Sequence, residues 1–244
     1  GSARLAARSD SAVIDRLLGR PGLAEGAPIV NGVRYLDGAL ADRPSSAVDG
    51  DPRTAWVTPF GDQVGASFTL TAPAPFTTTS LDLSFYDDGL HSVPTALTLT
   101  TESGASATID VPPTGTGTDG IRHARVAVPA LTGRTLAVTI AAERAITTKE
   151  YFGGGQHAFP IGIIDIGAPV TLAPVPTMLP TTCRSDLVTI DGRSIPIALL
   201  GTTADAVARA ALPFTACAAP VALSTGPHRL DRSRPVREDI HLAA

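Results

Sequence analysis

The sequence predicts an all-β protein, with a β-sandwich or barrel followed by a second, smaller β-rich domain. From about residue 32 to residue 169, apolar residues alternate with polar ones, as in Ser80-Leu81-Asp82-Leu83-Ser84-Phe85, and Pro and Gly interrupt the runs. Eight short candidate strands in about 140 residues are typical of a sandwich or barrel. The pair Asp191-Gly192 between two later apolar runs predicts a hairpin, which belongs to the second domain.

The candidate elements divide the chain into three parts. Apolar residues recur at helical spacing near the start, which predicts a leading helix over 9–19. The sandwich strands are expected at 33–36, 66–71, 78–86, 96–101, 106–111, 123–128, 135–141 and 161–166. After a proline-rich joint at 169–180 we expect strands over 187–190, 194–200 and 221–223, and a short helix over 203–211. The predicted domains are a helical extension (1–29), the β-sandwich (30–169) and the smaller β-rich domain (170–244).

Charge, apolar runs and cysteine count limit the functions and partners that we expect. The net charge is -4, with 19 basic and 23 acidic residues interspersed along the chain, so nucleic acid is not an expected partner. No run of about 18 apolar residues occurs, so we expect no transmembrane segment. In an exported protein Cys183 and Cys217 would pair and stabilise a small domain by about 3–4 kcal/mol. The alternative is two buried free thiols.

The most informative motif is segment 47–56, which reads Ala-Val-Asp-Gly-Asp-Pro-Arg-Thr-Ala-Trp. It resembles the signature of the galactose-binding-like, discoidin or coagulation-factor-5/8 (F5/8) type C family, which includes many carbohydrate-binding modules. The resemblance continues through 94–101 and Gly104 and ends at 162–166, so it covers about residues 30–169. It implies a galactose-binding-like jelly roll that binds sugar.

The same motif suggests a calcium site. Asp49 and Asp51 flank a glycine that permits a tight turn, and carboxylate, hydroxyl and carbonyl oxygens are the ligands that Ca²⁺ prefers. The family commonly holds a structural calcium here, which implies ligands at Asp49, Asp51, Thr54 and Asp165, although the last position is more often Glu in the family. The alternative is an Asx-turn that stabilises the loop without metal.

Sugar contacts are expected on loops at one end of the sandwich, because loops carry function while strands carry packing. Aromatic rings cover the apolar faces of sugars, and carboxylates or histidines bind hydroxyls. The candidates are Phe60, Tyr86, Asp87, Asp88, His91, Tyr151, Phe152, Gln156 and His157. The alternative for Tyr151 and Phe152 is that one ring closes the open end of the sandwich. Trp56, the only tryptophan, is expected to pack in the core beneath its loop.

Catalysis by this chain is not expected. The acidic pairs Asp87-Asp88 and Glu238-Asp239 are adjacent in sequence, and neighbouring strand residues point to opposite faces, so neither resembles an acid and base set across a bond. The sequence also lacks a Gly-x-Ser-x-Gly elbow, and its Gly153–Gly155 run lacks the features of a phosphate-binding loop.

The order of parts gives a second resemblance, carried after the sandwich by the proline-rich joint and by scattered residues that include Cys183-Arg184-Ser185-Asp186-Leu187, Asp191-Gly192, Pro196, Gly201, Cys217 and His228-Arg229. The arrangement is similar to the periplasmic carbohydrate-binding region of large mycobacterial arabinofuranosyltransferases. The resemblance implies an extracytoplasmic, non-catalytic accessory part of a membrane-anchored glycosyltransferase, with cell-wall arabinogalactan or lipoarabinomannan as partner. The alternatives are a structural scaffold and a module for adhesion to protein or membrane surfaces.

Overall fold

The computed structural model describes residues 1–113, 115, 117, 119–149, 153–219, 221–232 and 240–243, and the side chains of all of these except 232 and 240–243. The strands are β1 (Ser2–Leu5), β2 (Ile29–Asn31), β3 (Trp56–Val57), β4 (Ser67–Tyr86), β5 (Val93–Thr101), β6 (Ser106–Asp110), β7 (Ile121–Arg144), β8 (Thr147–Lys149), β9 (Gln156–Ala158), β10 (Gly162–Asp165), β11 (Val188–Ile190), β12 (Arg193–Ser194), β13 (Ile197–Leu199), β14 (Leu212–Ala216), β15 (Leu230–Arg232) and β16 (Ile240–Ala243). The α-helices are α1 (Ser11–Leu17) and α2 (Thr203–Val207), and short 3₁₀ turns cover Leu23–Glu25, Leu40–Asp42 and Pro44–Ala47. The predicted all-β class is confirmed.

Two long strands, β4 and β7, build the sandwich by running through both of its layers. They pair antiparallel from Ser67↔Thr139 to Tyr86↔Ile121. The first half of β4 pairs with β2, and the second half of β7 pairs with β5, which pairs with β6. The other ends form the second layer, in which β10 lies between β4 and β3. The predicted strands at 66–71 and 78–86 are therefore parts of β4, and those at 123–128 and 135–141 are parts of β7.

The register shifts where β4 crosses between layers. One shift falls between Thr71 and Phe76, a stretch that contains Pro73 and Pro75. Proline has no N–H to donate to a ladder, so it is confined to edges and irregular positions of a sheet. The prolines that suggested a break between two strands therefore mark a bend within one strand.

The core lies between the two layers and is filled from alternate positions of the long strands. Buried side chains include Phe68 and Leu70 from one half of β4, and Leu81, Leu83 and Phe85 from the other half. Trp56 on β3 has no exposed surface, and its ring packs edge-on against Phe68 at 5.0 Å between ring centroids. Its indole Nε1 donates to the carbonyl oxygen of Arg34 at 2.8 Å. The prediction that Trp56 belongs to the core is confirmed.

The chain divides into two compact units, Pro21–Pro174 and Gly1–Arg20 with Val175–Ala244. The first 20 residues are thus not a separate extension, because β1 pairs with β14 and β16 from the end of the chain. The predicted helix near the start is present as α1, capped by the Asp10 side chain, which accepts from the Ala12 amide at 2.9 Å. Pairing between segments about 200 residues apart leaves no local pattern in the sequence, which explains the different boundary.

The second unit contains the predicted hairpin and disulfide. Strands β11 and β12 pair around Asp191 and Gly192, whose φ values of 50° and 78° are those of a tight hairpin turn. Cys183 and Cys217 are joined by a disulfide. Strand β14 was not expected, and the predicted strands at 33–36 and 221–223 are irregular, with Val33, Val221 and Leu223 exposed. Over the residues described, no helix has the length and apolarity to cross a membrane.

Candidate functional site

The candidate sugar-binding residues belong to three loops, 58–64, 86–93 and 146–160, and hydrogen bonds join the described parts of these loops. The Gly61 amide donates to the Ala158 carbonyl oxygen at 3.0 Å, which joins the 58–65 loop to strand β9. The Ser92 amide donates to the Pro160 carbonyl oxygen at 3.0 Å, which joins the 86–93 loop to the same segment. The buried Thr58 hydroxyl accepts from the Ile161 amide at 2.9 Å. Main-chain hydrogen bonds therefore bring the loops to one end of the sandwich.

One group of side chains, from the 86–93 loop and the 3₁₀ turn at 40–42, is well suited to sugar hydroxyls. We call Asp42, Tyr86, Asp88 and His91 the Tyr86–His91 cluster. The two rings lie 4.7 Å apart between centroids at an angle of 31°, and the Asp88 carboxylate lies 2.9 Å from His91 Nδ1. A Cβ built on Gly162 would come within 2.3 Å of the Tyr86 ring, so only glycine leaves room for the ring there. The cluster offers a half-buried ring beside carboxylate and imidazole groups.

Burial shifts the pKa values of two members of the Tyr86–His91 cluster, Asp42 and Tyr86. It raises the pKa of Asp42 to about 6, even though the nearby His91 acts to lower it. Burial also raises the pKa of the Tyr86 hydroxyl, and the negative charges of Asp42 and Asp88 add to that effect. Asp42 was missed in the sequence analysis because it lies in a 3₁₀ turn far along the chain from Tyr86, with no motif around it.

The Asp87 carboxylate contacts two arginines. Its carboxylate accepts from Arg122, and also from Arg144 Nη2 at 2.6 Å. Both Asp87 oxygens are held by arginines, which join the end of β4 to β7, and its role as an acceptor of sugar hydroxyls stays a prediction. The register of β4 and β7 places Arg122 opposite Phe85, beside Asp87.

A second group surrounds Phe60. The Phe60 side chain is 55% exposed, and its ring centroid lies 6.0 Å from that of Phe159. Gln156 and His157 lie on β9, the strand that contacts this loop, and Gln156 Oε1 accepts from the Thr147 hydroxyl at 3.4 Å. Tyr151 and Phe152 lie outside the described residues. Phe60 is thus an exposed ring at the edge of the same end of the sandwich.

The motif at 47–56 folds into a tight loop around the Thr54 hydroxyl. Thr54 Oγ1 lies 2.9 Å and 3.1 Å from the two Asp49 carboxylate oxygens. The carbonyl oxygens of Asp51 and Ser46 lie 3.1 Å and 3.4 Å from the same hydroxyl. Gly50 has a φ of 70°, which allows the chain to turn there. The loop therefore gathers several hard oxygen atoms in one place.

The predicted set of calcium ligands is only partly assembled. The Asp51 carboxylate accepts from Arg53 Nε at 2.9 Å and Nη2 at 2.7 Å, and these hydrogen bonds hold its pKa at about 2. Asp165 Oδ1 instead accepts from the Gly167 amide at 2.7 Å. No three acidic, histidine or cysteine side chains converge on a metal position in the part of the chain that the structure describes. Arg53, two residues after Asp51 in the same motif, is thus a bidentate partner that competes with a metal for this carboxylate.

Comparison with known proteins places the fold. No family model and no curated protein matches this sequence. The cryo-EM structure of the arabinofuranosyltransferase AftD from Mycobacteria matches 98% of this chain, with 17% identity and a TM-score of 0.58. This chain has the fold of that AftD segment. The match spans 18% of the AftD chain, and a mutant form of AftD gives the same TM-score over 19% of its chain at 18% identity.

A weaker likeness extends to a sugar-binding module. The family 32 carbohydrate-binding module of NanJ from C. perfringens, solved with galactose, matches 57% of this chain and 90% of its own length. The identity is 15% and the TM-score is 0.35. A TM-score of that size does not establish a common fold.

Proposed function

We propose that this chain is a non-catalytic carbohydrate-binding region and that the Tyr86–His91 cluster receives the sugar. The observation that supports the proposal is the position of a half-buried tyrosine ring beside the Asp88 carboxylate and the His91 imidazole, at the end of a sandwich where three loops meet. Aromatic rings pack on the apolar faces of sugars, and carboxylates and imidazoles bind hydroxyls. The exposed Phe60 ring lies on a loop that is hydrogen-bonded to the same segment, 158–160, as the 86–93 loop.

We further propose that the glycan is of the arabinan type, as in arabinogalactan or lipoarabinomannan. The support is the fold shared with a segment of AftD, a protein described as an arabinofuranosyltransferase. The chain would then be an extracytoplasmic part of a membrane-anchored glycosyltransferase that holds the polysaccharide while chemistry proceeds elsewhere. Its net charge of -4 suits a neutral glycan better than nucleic acid.

Replacing Tyr86 by alanine is expected to weaken glycan binding by about fivefold, because one aromatic contact contributes on the order of 1 kcal/mol. The measurement is an NMR titration of the whole chain with arabinan and galactan fragments. Tyr86→Phe keeps the ring and is expected to bind nearly as well as the natural chain. Asp110→Asn, at an exposed position on β6, is the matched control. Binding that survives Tyr86→Ala unchanged would remove the cluster from the proposal.

The pKa of Asp42 predicts a pH effect on stability. Because burial raises the pKa from 3.8 to about 6, the folded state disfavours the charged form, and stability falls as the pH rises from about 4 to 6. Relative to Asp42→Asn, the natural chain is expected to lose about 1 kcal/mol of unfolding free energy over this range, a value reduced for solvent screening of a partly exposed group. Urea unfolding of both proteins at pH 4, 5, 6 and 7 measures the difference, and parallel profiles would contradict it.

We also propose that the 46–54 loop binds calcium through fewer side chains than the motif suggested. The candidate ligands are the Asp49 carboxylate, the Thr54 hydroxyl and the carbonyl oxygens of Ser46 and Asp51, all hard oxygen donors. Asp51 would contribute its carbonyl group, since its carboxylate is held by Arg53.

With this ligand set, substitutions at Asp49 and at Asp51 should change calcium affinity by different amounts, and calorimetric titration with calcium measures both changes. Asp49→Asn is expected to weaken binding at this loop by about tenfold or more, because calcium affinity depends on the charge of the ligands. Asp51→Asn is expected to change it far less. Equal losses in the two variants would show that the Asp51 carboxylate turns to the metal, and no binding in the natural chain would exclude the site.

A further inference from the structure

The His228 ring connects two parts of the second unit. Its Nδ1 lies 2.6 Å from Asp191 Oδ2 at the turn between β11 and β12, and its Nε2 lies 2.7 Å from the Ser224 carbonyl oxygen. The Arg229 amide donates to Asp191 Oδ1 at 2.8 Å, and the Asp191 amide donates to the Arg229 carbonyl oxygen at 2.9 Å. The ring therefore ties the start of the 224–229 segment to a turn that already holds its end.

Both ring nitrogens of His228 face oxygen atoms that can only accept hydrogen bonds. A peptide carbonyl oxygen carries no hydrogen, and neither does an ionised carboxylate. A neutral imidazole has one N–H, so one of its nitrogen lone pairs would face an acceptor oxygen at hydrogen-bond distance. The imidazolium form donates from both nitrogens. The geometry at His228 thus fits the protonated ring.

His123 on β7 shows the contrasting case. Its Nδ1 lies 2.7 Å from the Ser84 hydroxyl oxygen. A hydroxyl can donate or accept, so a neutral His123 ring satisfies this contact as well as a charged one does. The requirement for a proton therefore belongs to the partners of His228 and not to surface histidines in general.

The charged groups around His228 come from the turn and from the strands on either side of it. The Asp191 carboxylate accepts from the Arg229 amide and from His228, and these bonds lower its pKa, as does the positive charge of Arg193 on β12. The Arg229 side chain pairs with Asp231 on β15, at 2.5 Å between Nε and Oδ2. Asp191 is thus the carboxylate that receives the His228 proton.

These contacts are complete only within a range of pH. The Ser224 carbonyl oxygen and the Asp191 carboxylate raise the pKa of His228 above its ordinary value of 6.5. The contribution of His228 is therefore complete below about pH 6.5 and is lost as the pH rises through the raised pKa of the folded state. The pKa of Asp191 is lowered from 3.8, so its contribution is complete above that pH and is lost in stronger acid.

We propose that His228 is a pH-dependent latch, whose protonated ring closes the 224–229 segment on the Asp191-Gly192 turn and whose loss of a proton opens it. The hydrogen bonds between Asp191 and the Arg229 backbone do not need this proton, so they would remain when the latch opens. The preceding stretch, 221–226, forms neither helix nor strand and carries the exposed side chains of Val221 and Leu223. The latch would fix the position of this stretch. It lies in the other unit from the glycan site and does not depend on that proposal.

The test is an NMR titration of the whole chain between about pH 5 and pH 9. The His228 ring signal, identified by its absence in His228→Gln, is expected to titrate above pH 6.5. The amide signals of residues 224–226 are expected to shift with the same midpoint, because the segment opens as the ring loses its proton. In Asp191→Asn the midpoint should fall toward 6.5, and asparagine tolerates the φ of 50° at this position.

Solvent exchange of the Arg229 amide measures the opening itself. At about pH 5.5 this amide is expected to exchange about threefold more slowly in the natural chain than in His228→Gln, as the loss of one hydrogen-bonded contact would allow. Near pH 9 the two rates should be equal. Comparison of the two proteins at the same pH removes the effect of base catalysis on the exchange rate.

His123→Gln is the matched control, since it removes another surface ring and is expected to leave the His228 midpoint and the Arg229 exchange unchanged. If Asp191→Asn fails to fold, which far-ultraviolet circular dichroism reports, the comparison with His228→Gln still decides the matter. The latch is overturned if His228 titrates at or below pH 6.5, or if the amides of residues 224–226 do not follow its titration.

Discussion

Replacing Trp56 by alanine is expected to lower the free energy of unfolding by about 3–5 kcal/mol, as large buried aromatic side chains do when they are truncated. Trp56 is fully buried between the layers and packs on Phe68 from the opposite layer. The substitution leaves a cavity at the point where β3 joins the sandwich, and it also leaves the Arg34 carbonyl oxygen without the indole donor. Urea unfolding followed by circular dichroism measures the loss.

A conservative variant separates packing from hydrogen bonding at this position. Trp56→Phe keeps an aromatic ring against Phe68 and loses only part of the volume and the donor to Arg34. Its expected cost is about 1–3 kcal/mol, clearly less than that of alanine. If Trp56→Ala costs less than about 1 kcal/mol, the tryptophan does not connect the two layers as the structure shows.

Replacing both Cys183 and Cys217 by serine is expected to destabilise the unit that contains them by about 3–4 kcal/mol. The disulfide closes a loop between residues 34 positions apart and so lowers the entropy of the unfolded chain. The unit Pro21–Pro174 should be unaffected, since it contains neither cysteine. The only tryptophan, Trp56, lies in that unit, so its fluorescence reports the sandwich alone. Far-ultraviolet circular dichroism reports both units.

Thermal unfolding of the double serine variant should therefore show an early circular-dichroism transition that the fluorescence signal does not follow. The natural protein in excess reductant is the matched control and should behave in the same way. A shift of both signals together would mean that the two units unfold as one and would contradict the division of the chain.

Several features could be predicted from sequence because they depend on neighbours along the chain. Alternation of apolar and polar residues identified the buried faces of β4 and β7, and Asp191-Gly192 identified its hairpin from two residues alone. The placement of Trp56 in the core followed from the motif around it. Each of these depends on local backbone geometry or on the preference of one side chain for burial. A short segment of sequence is enough to predict either.

Other features were decided only by tertiary structure. The pairing of β1 with β14 joins residues more than 200 positions apart, and Asp42 lies near Tyr86 and His91, which follow far along the chain. The Asp87 carboxylate is held by Arg122 and Arg144 from β7, although the sequence around it suggested only a sugar ligand. A motif fixes which groups a loop contains. Which partner each group takes is a competition among charges and donors that meet only in the folded chain.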